Sequence, residues 1–213
     1  MSAVDLTLLL KGFPSPVVTT SEVAALMRGR VDSANKMLGR LTTKGVVKPL
    51  ARGLWALGRD LDPKVLSRYV AGPSPSYVSL LSALRFHGMI SQIPRSTYVM
   101  TLARPQEIET SMGDFSIHTM APEVFGGFVA TPEGALIASP EKAIFDVFYL
   151  SGTKPRTFSS LPEVELPDGF DFGVVRNWTR KVASKRLRTI VERRTSELES
   201  APPGGRPGSD ARG

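Results

Sequence analysis

The apolar positions of the first 57 residues recur at helical spacing and then at the spacing of short strands. Leu6, Leu9 and Leu10 predict a leading helix over 4–11. Thr19 stands three residues before Glu22, the spacing at which a side-chain oxygen and a carboxylate cap a helix start reciprocally. Val23, Leu26 and Met27 then share one helical face, and Arg28-Gly29-Arg30 ends the helix. Asp32 is expected to cap a second helix that runs to about Lys44 and stops at Gly45. Ala34, Leu38 and Leu41, with Met37 at the edge, form its inner face, and Ser33, Asn35, Lys36, Arg40 and Lys44 form its outer one. Apolar runs at 46–51 and 54–57 flank Arg52-Gly53 and predict a β-hairpin. Helix, tight turn, helix and hairpin in this order predict a winged helix-turn-helix.

Beyond it the pattern is mixed. Asp62-Pro63 opens a short helix through Val70, broken by Gly72-Pro73-Ser74-Pro75-Ser76. Residues 76–89 predict a helix with Tyr77, Leu80, Leu81, Leu84 and Met89 as its buried stripe. Strands are expected at 97–102 and 115–120, with Gly113-Asp114 as a turn between them, and shorter ones within 125–130 and 135–138. Ser139-Pro140-Glu141-Lys142 opens another helix, with proline at the first helical position. One or two helices are expected over 171–198, carrying the stripes Phe172, Val175, Trp178 and Val182, Leu187, Ile190, Val191. Residues 199–213 lack core-forming side chains and read as a disordered tail. The fold class is α+β: a winged helix-turn-helix at 1–58, a linker helix within 59–75, a mixed α/β domain with a small sheet and basic C-terminal helices at 76–198, and the tail.

Charge sharpens this division. The net charge of +7 is unevenly placed, with 8 basic against 3 acidic residues over 1–57, 9 against 12 over 58–170, and 8 against 3 over 171–198. The first basic excess coincides with the predicted helix-turn-helix and points to nucleic acid. No cysteine is present, which excludes disulfides and cysteine-bound metal. Leu6–Leu10 is too short for a secretion signal, and no run reaches a membrane span, so a cytoplasmic protein without a membrane partner is expected.

Small, amide and cationic side chains read base edges or hold phosphates, and recognition helices contact bases with their N-terminal residues. Ser33, Asn35 and Lys36 are therefore assigned to bases, Arg40 and Lys44 to the backbone, and Arg52 at the hairpin tip to the minor groove or a phosphate. The same elements also occur in protein-binding winged helices. A second basic run holds Arg176, Arg180, Lys181, Lys185, Arg186, Arg188, Arg193 and Arg194. It reads either as contacts to a partner or DNA backbone, or as a solvated helix face.

Little else suggests chemistry. His87 fits a helix end, and His118 sits on a strand that could turn either face to solvent. Asp114, Glu123, Glu133, Glu141 and Asp146 invite a metal-nuclease reading, but their spacing shows no tight acidic-lysine cluster. No phosphate-cradling glycine loop or nucleophilic serine motif appears. A chain without cofactor or enzymatic activity is expected. A one-component regulator with a small-molecule-sensing C-terminal domain is the alternative to a DNA-binding repressor of another kind.

Three segments in order resemble a known family. The hairpin Arg52-Gly53-Leu54-Trp55, the segment Ser82-Ala83-Leu84 followed by His87-Gly88, and Ala138-Ser139-Pro140-Glu141-Lys142-Ala143 are similar to AbiEi-type antitoxins, a group that includes the MenA antitoxins. The resemblance covers roughly residues 5–150. It implies an antitoxin paired with a nucleotidyltransferase-type toxin, repressing its own operon by binding inverted repeats in promoter DNA. It also implies DNA contacts at Ser33, Asn35, Lys36, Arg40 and Arg52, and antitoxic activity in the C-terminal domain.

Overall fold

The computed structural model describes residues 2–57, 61–153 and 161–201, and shows an α+β protein with two sheets. The chain begins with α1 (Ala3–Lys11), β1 (Val17–Thr19), α2 (Thr20–Leu26), α3 (Val31–Thr43), β2 (Lys48–Ala51) and β3 (Leu54–Ala56). The three strands form an antiparallel sheet in the order β1-β3-β2. Leu6 and Leu10 of α1, Val23 and Ala24 of α2, and Ala34, Leu38 and Leu41 of α3 close one core. The expected stripe on α1 needs correction. Leu9 is 45 % exposed, because it lies too far round the helix from Leu6 and Leu10 to reach that core.

Local chemistry explains the boundaries. Thr19 accepts a hydrogen bond from the Glu22 amide at 3.1 Å, and the Glu22 carboxylate accepts from the Thr19 amide at 2.7 Å. Asp32 does not cap α3. The capping position falls on Arg30, and Asp32 lies in the first turn, where a carboxylate suits the helix dipole. Gly45 follows α3 with φ +68°, a left-handed conformation that lets the chain reverse toward β2.

The remaining elements are α4 (Pro63–Val70), β4 (Ser76–Val78), α5 (Leu80–Phe86), β5 (Thr97–Thr101), β6 (Gln106–Thr110), β7 (Gly113–Thr119), β8 (Phe128–Ala130), β9 (Leu136–Ala138), α6 (Pro140–Thr153), α7 (Phe172–Arg180) and α8 (Lys185–Ser200). Their strands make a six-stranded mixed sheet in the order β6-β7-β5-β4-β9-β8. The β5–β7 and β4–β9 pairs are parallel, and the others are antiparallel. Met100 of β5 faces a core shared with α5, α6 and α8. Val99, Phe115 and Ile117 face the opposite way, onto α4 and the three-stranded sheet. The turn between β6 and β7 ties the sheets together, since Ser111 donates from its amide to the Leu50 carbonyl and from its hydroxyl to the Pro49 carbonyl, both at 3.0 Å.

Four expectations change here. Residues 76–78 are a strand buried on both faces, so Tyr77 belongs to the sheet and not to the helix after it. Ser111-Met112 makes the turn before β7, and Gly113-Asp114 open the strand itself. Its partner β6 is an edge strand whose exposed polar residues carry no apolar alternation to announce it. Residues 199 and 200 continue α8, while the rest of the predicted tail from 202 lies outside the described residues.

Candidate nucleic-acid interface

The candidate surface starts at the turn between α2 and α3. Arg28 takes a left-handed φ of 49°, and Gly29 follows it, which reverses the chain within a few residues. On α3 and its C-cap, Ser33, Lys36, Arg40 and Lys44 recur at three- and four-residue steps along one exposed stripe. Among the described residues none of the four makes a side-chain hydrogen bond or ion pair, and Arg52 stands exposed at the hairpin tip, next to Gly53, which Thr20 ties to α3.

Asn35 behaves differently. It lies at the edge of the exposed face, and its Oδ1 accepts a hydrogen bond from the Thr20 hydroxyl at 3.2 Å. A bidentate adenine contact needs that oxygen as an acceptor and the amide nitrogen as a donor. Asn35 must therefore share or give up the Thr20 bond to read a base that way.

Thr20 itself carries no sequence signal for a site, yet it joins three elements. Its amide donates to the Gly53 carbonyl at 2.9 Å, and its hydroxyl also accepts from Trp55 Nε1 at 3.0 Å. One buried side chain thus fixes α3 relative to the hairpin. Replacing Thr20 by valine keeps its shape and removes both side-chain bonds, leaving the Trp55 indole N–H without this acceptor. Thr20→Val is expected to lower the unfolding free energy by about 1–3 kcal/mol, measured by urea denaturation.

Gly39 lies on the same exposed face, and a Cβ there meets nothing within 4 Å. Packing does not explain a glycine that weakens a helix interior by about 0.5–1 kcal/mol relative to alanine. Gly39→Ala is expected to stabilise the fold by about that amount in the same denaturation experiment.

The second basic run is divided by its contacts. Arg176 pairs with Glu199, Arg180 meets Asn177, and Lys181 sits 3.8 Å from the centroid of the Trp178 ring. Arg188 donates from Nε and Nη2 to the Val182 carbonyl, at 3.1 and 2.8 Å, and so holds the α7–α8 corner. Arg193 lies 3.8 Å from Glu197, and Arg194 lies 5.7 Å from the Phe148 ring. Lys185 and Arg186 are exposed and make no side-chain hydrogen bond or ion pair among the described residues.

The carboxylates do not converge. Asp114, Glu123 and Glu133 are exposed in separate places, and Glu141 accepts from the Ser139 hydroxyl at 2.9 Å. Among the described residues no three metal-ligating side chains come together. His87 stands at the C-cap of α5, as its sequence reading has it, and the structure gives both histidines partners. His87 Nε2 donates to the Ala138 carbonyl at 2.7 Å, so the side chain of this cap residue joins α5 to the end of β9. His118 is buried, with Nε2 3.0 Å from the Ser116 hydroxyl, which itself donates to Glu107 at 2.6 Å.

One polar cluster was not legible in the sequence. Lys142 and Asp146, four residues apart on α6, form an ion pair with both side chains 0 % exposed. Asp146 Oδ2 also accepts from the Ser79 hydroxyl at 2.6 Å and the Tyr77 hydroxyl at 3.0 Å. Lys142 Nζ lies 4.7 Å from the Phe145 ring centroid and 4.9 Å from that of Trp178. Burial raises the Asp146 pKa against the pull of Lys142, Ser79 and Tyr77, and lowers that of Lys142 against the pull of Asp146. The cluster fastens α6 to β4 and to the kink after it, where Leu80 takes a left-handed φ of 52°. Its enclosure makes it a structural joint.

Among the described residues no helix is long and apolar enough to cross a membrane. Compared with known families and with curated proteins, the chain matches no family model and no curated sequence.

Proposed function

We propose that this chain is a DNA-binding antitoxin that represses its own operon and counteracts a nucleotidyltransferase-type toxin. The observation that carries the DNA half is the exposed stripe Ser33–Lys36–Arg40–Lys44, whose three cations, like Arg52 at the hairpin tip, are unneutralised among the described residues. A protein gains most of its DNA affinity by placing such cations against phosphates. The N-terminal helices and hairpin act as a winged helix-turn-helix, with α3 in the major groove and Arg52 on the wing. The partner is double-stranded promoter DNA bearing inverted repeats.

The antitoxin half rests on the family resemblance. Supporting it, two of the three resembling segments meet in space, since His87 of the second bonds to Ala138 of the third. Lys142 of the third pairs with Asp146, which also receives Ser79 from the strand end ahead of the second.

Two assays test the halves separately. In a mobility-shift titration, the full chain is expected to prefer its own upstream region over an unrelated duplex, with affinity falling steeply as salt rises. Equal affinity for both duplexes would remove the repressor role. In co-expression with a nucleotidyltransferase-type toxin encoded beside it, the chain is expected to restore growth under a foreign promoter, where autorepression plays no part. Continued toxicity there would remove the antitoxin role.

A further inference from the structure

Helix α1 is apolar on both sides. Leu6 and Leu10 are buried against α2 and α3, whereas Val4, Leu8 and Leu9 are 65, 64 and 45 % exposed. Asp5 and Lys11 are exposed beside these side chains, and exposed apolar surface rimmed by polar residues marks an interaction site. Beside α1 lies a cleft of about 710 Å³ lined by Leu10, Lys11, Phe13, Val46 and Leu57, among others. The cleft also takes in Thr7 and Ser15 and none of the three exposed apolar side chains, so it flanks the ridge along α1.

We propose that this surface is the contact between two copies of the chain, with the two α1 helices antiparallel about a two-fold axis at Leu8. A two-fold contact requires one self-complementary patch, and the order of residues on α1 supplies it. Antiparallel pairing about Leu8 sets Val4 of one copy level with Gly12 of the other, at the Phe13 end of the second cleft. It also sets Asp5 level with Lys11, so the charges at the two ends are opposite and not alike. A nine-residue helix is only about 13 Å long, and the cleft walls extend the contact toward the area that stable interfaces need. The chain's own last residues are unsuited to covering this face, since 202–213 contain no Val, Leu, Ile, Met or aromatic side chain. The proposal stands whether or not α3 binds DNA.

The test is the mass of the full chain in solution, by light scattering on a sizing column at micromolar concentration. The wild type is expected at twice the 23.1 kDa of one chain, and Leu8→Glu at one chain mass with an unchanged far-ultraviolet circular dichroism spectrum. Leu8→Cys gives a second reading, because the chain has no cysteine of its own. Mild oxidation is expected to convert Leu8→Cys into a covalent dimer, and to leave a control thiol at the exposed Ser196 largely monomeric. A monomeric wild type would overturn the proposal, as would a Leu8→Glu dimer. Equal cross-linking at positions 8 and 196 would overturn the axis at Leu8. A monomer that binds only a different protein through α1 would assign the face to that partner instead.

Discussion

Asp146→Ala is expected to lower the unfolding free energy by about 3–5 kcal/mol, the cost of stranding a buried charge by removing its counter-ion. Lys142 has no exposure through which to recover solvent, and the Ser79 and Tyr77 hydroxyls lose their shared acceptor at the same time. The variant Asp146→Asn separates these losses, because its amide oxygen still accepts from both hydroxyls while the charge is gone. Lys142 then stands protonated in an apolar site, and its folded-state pKa falls further below that of the unfolded chain. The unfolded state consequently binds more protons than the folded one, so the stability of Asp146→Asn rises with pH across the interval between those two pKa values. Its deficit against the wild type is expected to be largest below that interval and to shrink as pH rises through it. Lys142→Met should cost less than Asp146→Ala, since Asp146 keeps two donors. Combining Lys142→Met with Asp146→Asn removes both charges, and the pair should fall short of additivity by about 1–3 kcal/mol. Urea denaturation of the four variants measures all of this. Additive losses, or a deficit in Asp146→Asn that ignores pH, would show that the two charges are not coupled in the folded chain.

What the sequence makes legible depends on how local the cause is. The cap formed by Thr19 and Glu22, the inward face Ala34–Leu38–Leu41 and the turn at Arg52-Gly53 are all set by neighbours within a few residues, and all three appear in the structure. Strand β4 is hidden because Ser76–Val78 is short, buried on both faces and followed by a helix without a loop, so its residues extend the apparent helical stripe. Strand β6 is hidden for the opposite reason, as an edge strand with three exposed positions in five. The polar contacts that matter most are long-range. Thr20 meets Trp55 from 35 residues away, and Ser79 meets Asp146 from 67. Lys142 and Asp146 are visible as an i,i+4 pair, but an exposed helix shows the same spacing. The sheet on one side of α6 and Trp178 of α7 make theirs a buried one.

The variants of the α3 face divide by what each residue would touch. Lys36→Ala is expected to weaken binding to the preferred duplex by about 1–3 kcal/mol, and to weaken binding to an unrelated duplex much less, as the loss of a base contact requires. Arg40→Ala and Arg52→Ala, holding phosphates, should weaken both duplexes alike and reduce the slope of log affinity against log salt by about 1 each. Gly39→Ala serves as the internal control, because its effects on fold and on binding should have opposite signs. A methyl group there meets no protein atom and strengthens the helix, yet it projects from the exposed face beside Lys36, where a groove-bound helix would meet DNA. Loss of affinity in a more stable protein can be traced to the surface itself. If Gly39→Ala, Lys36→Ala and Arg40→Ala all bind as the wild type does, the open stripe on α3 is a solvated face and the DNA contact lies elsewhere on the chain.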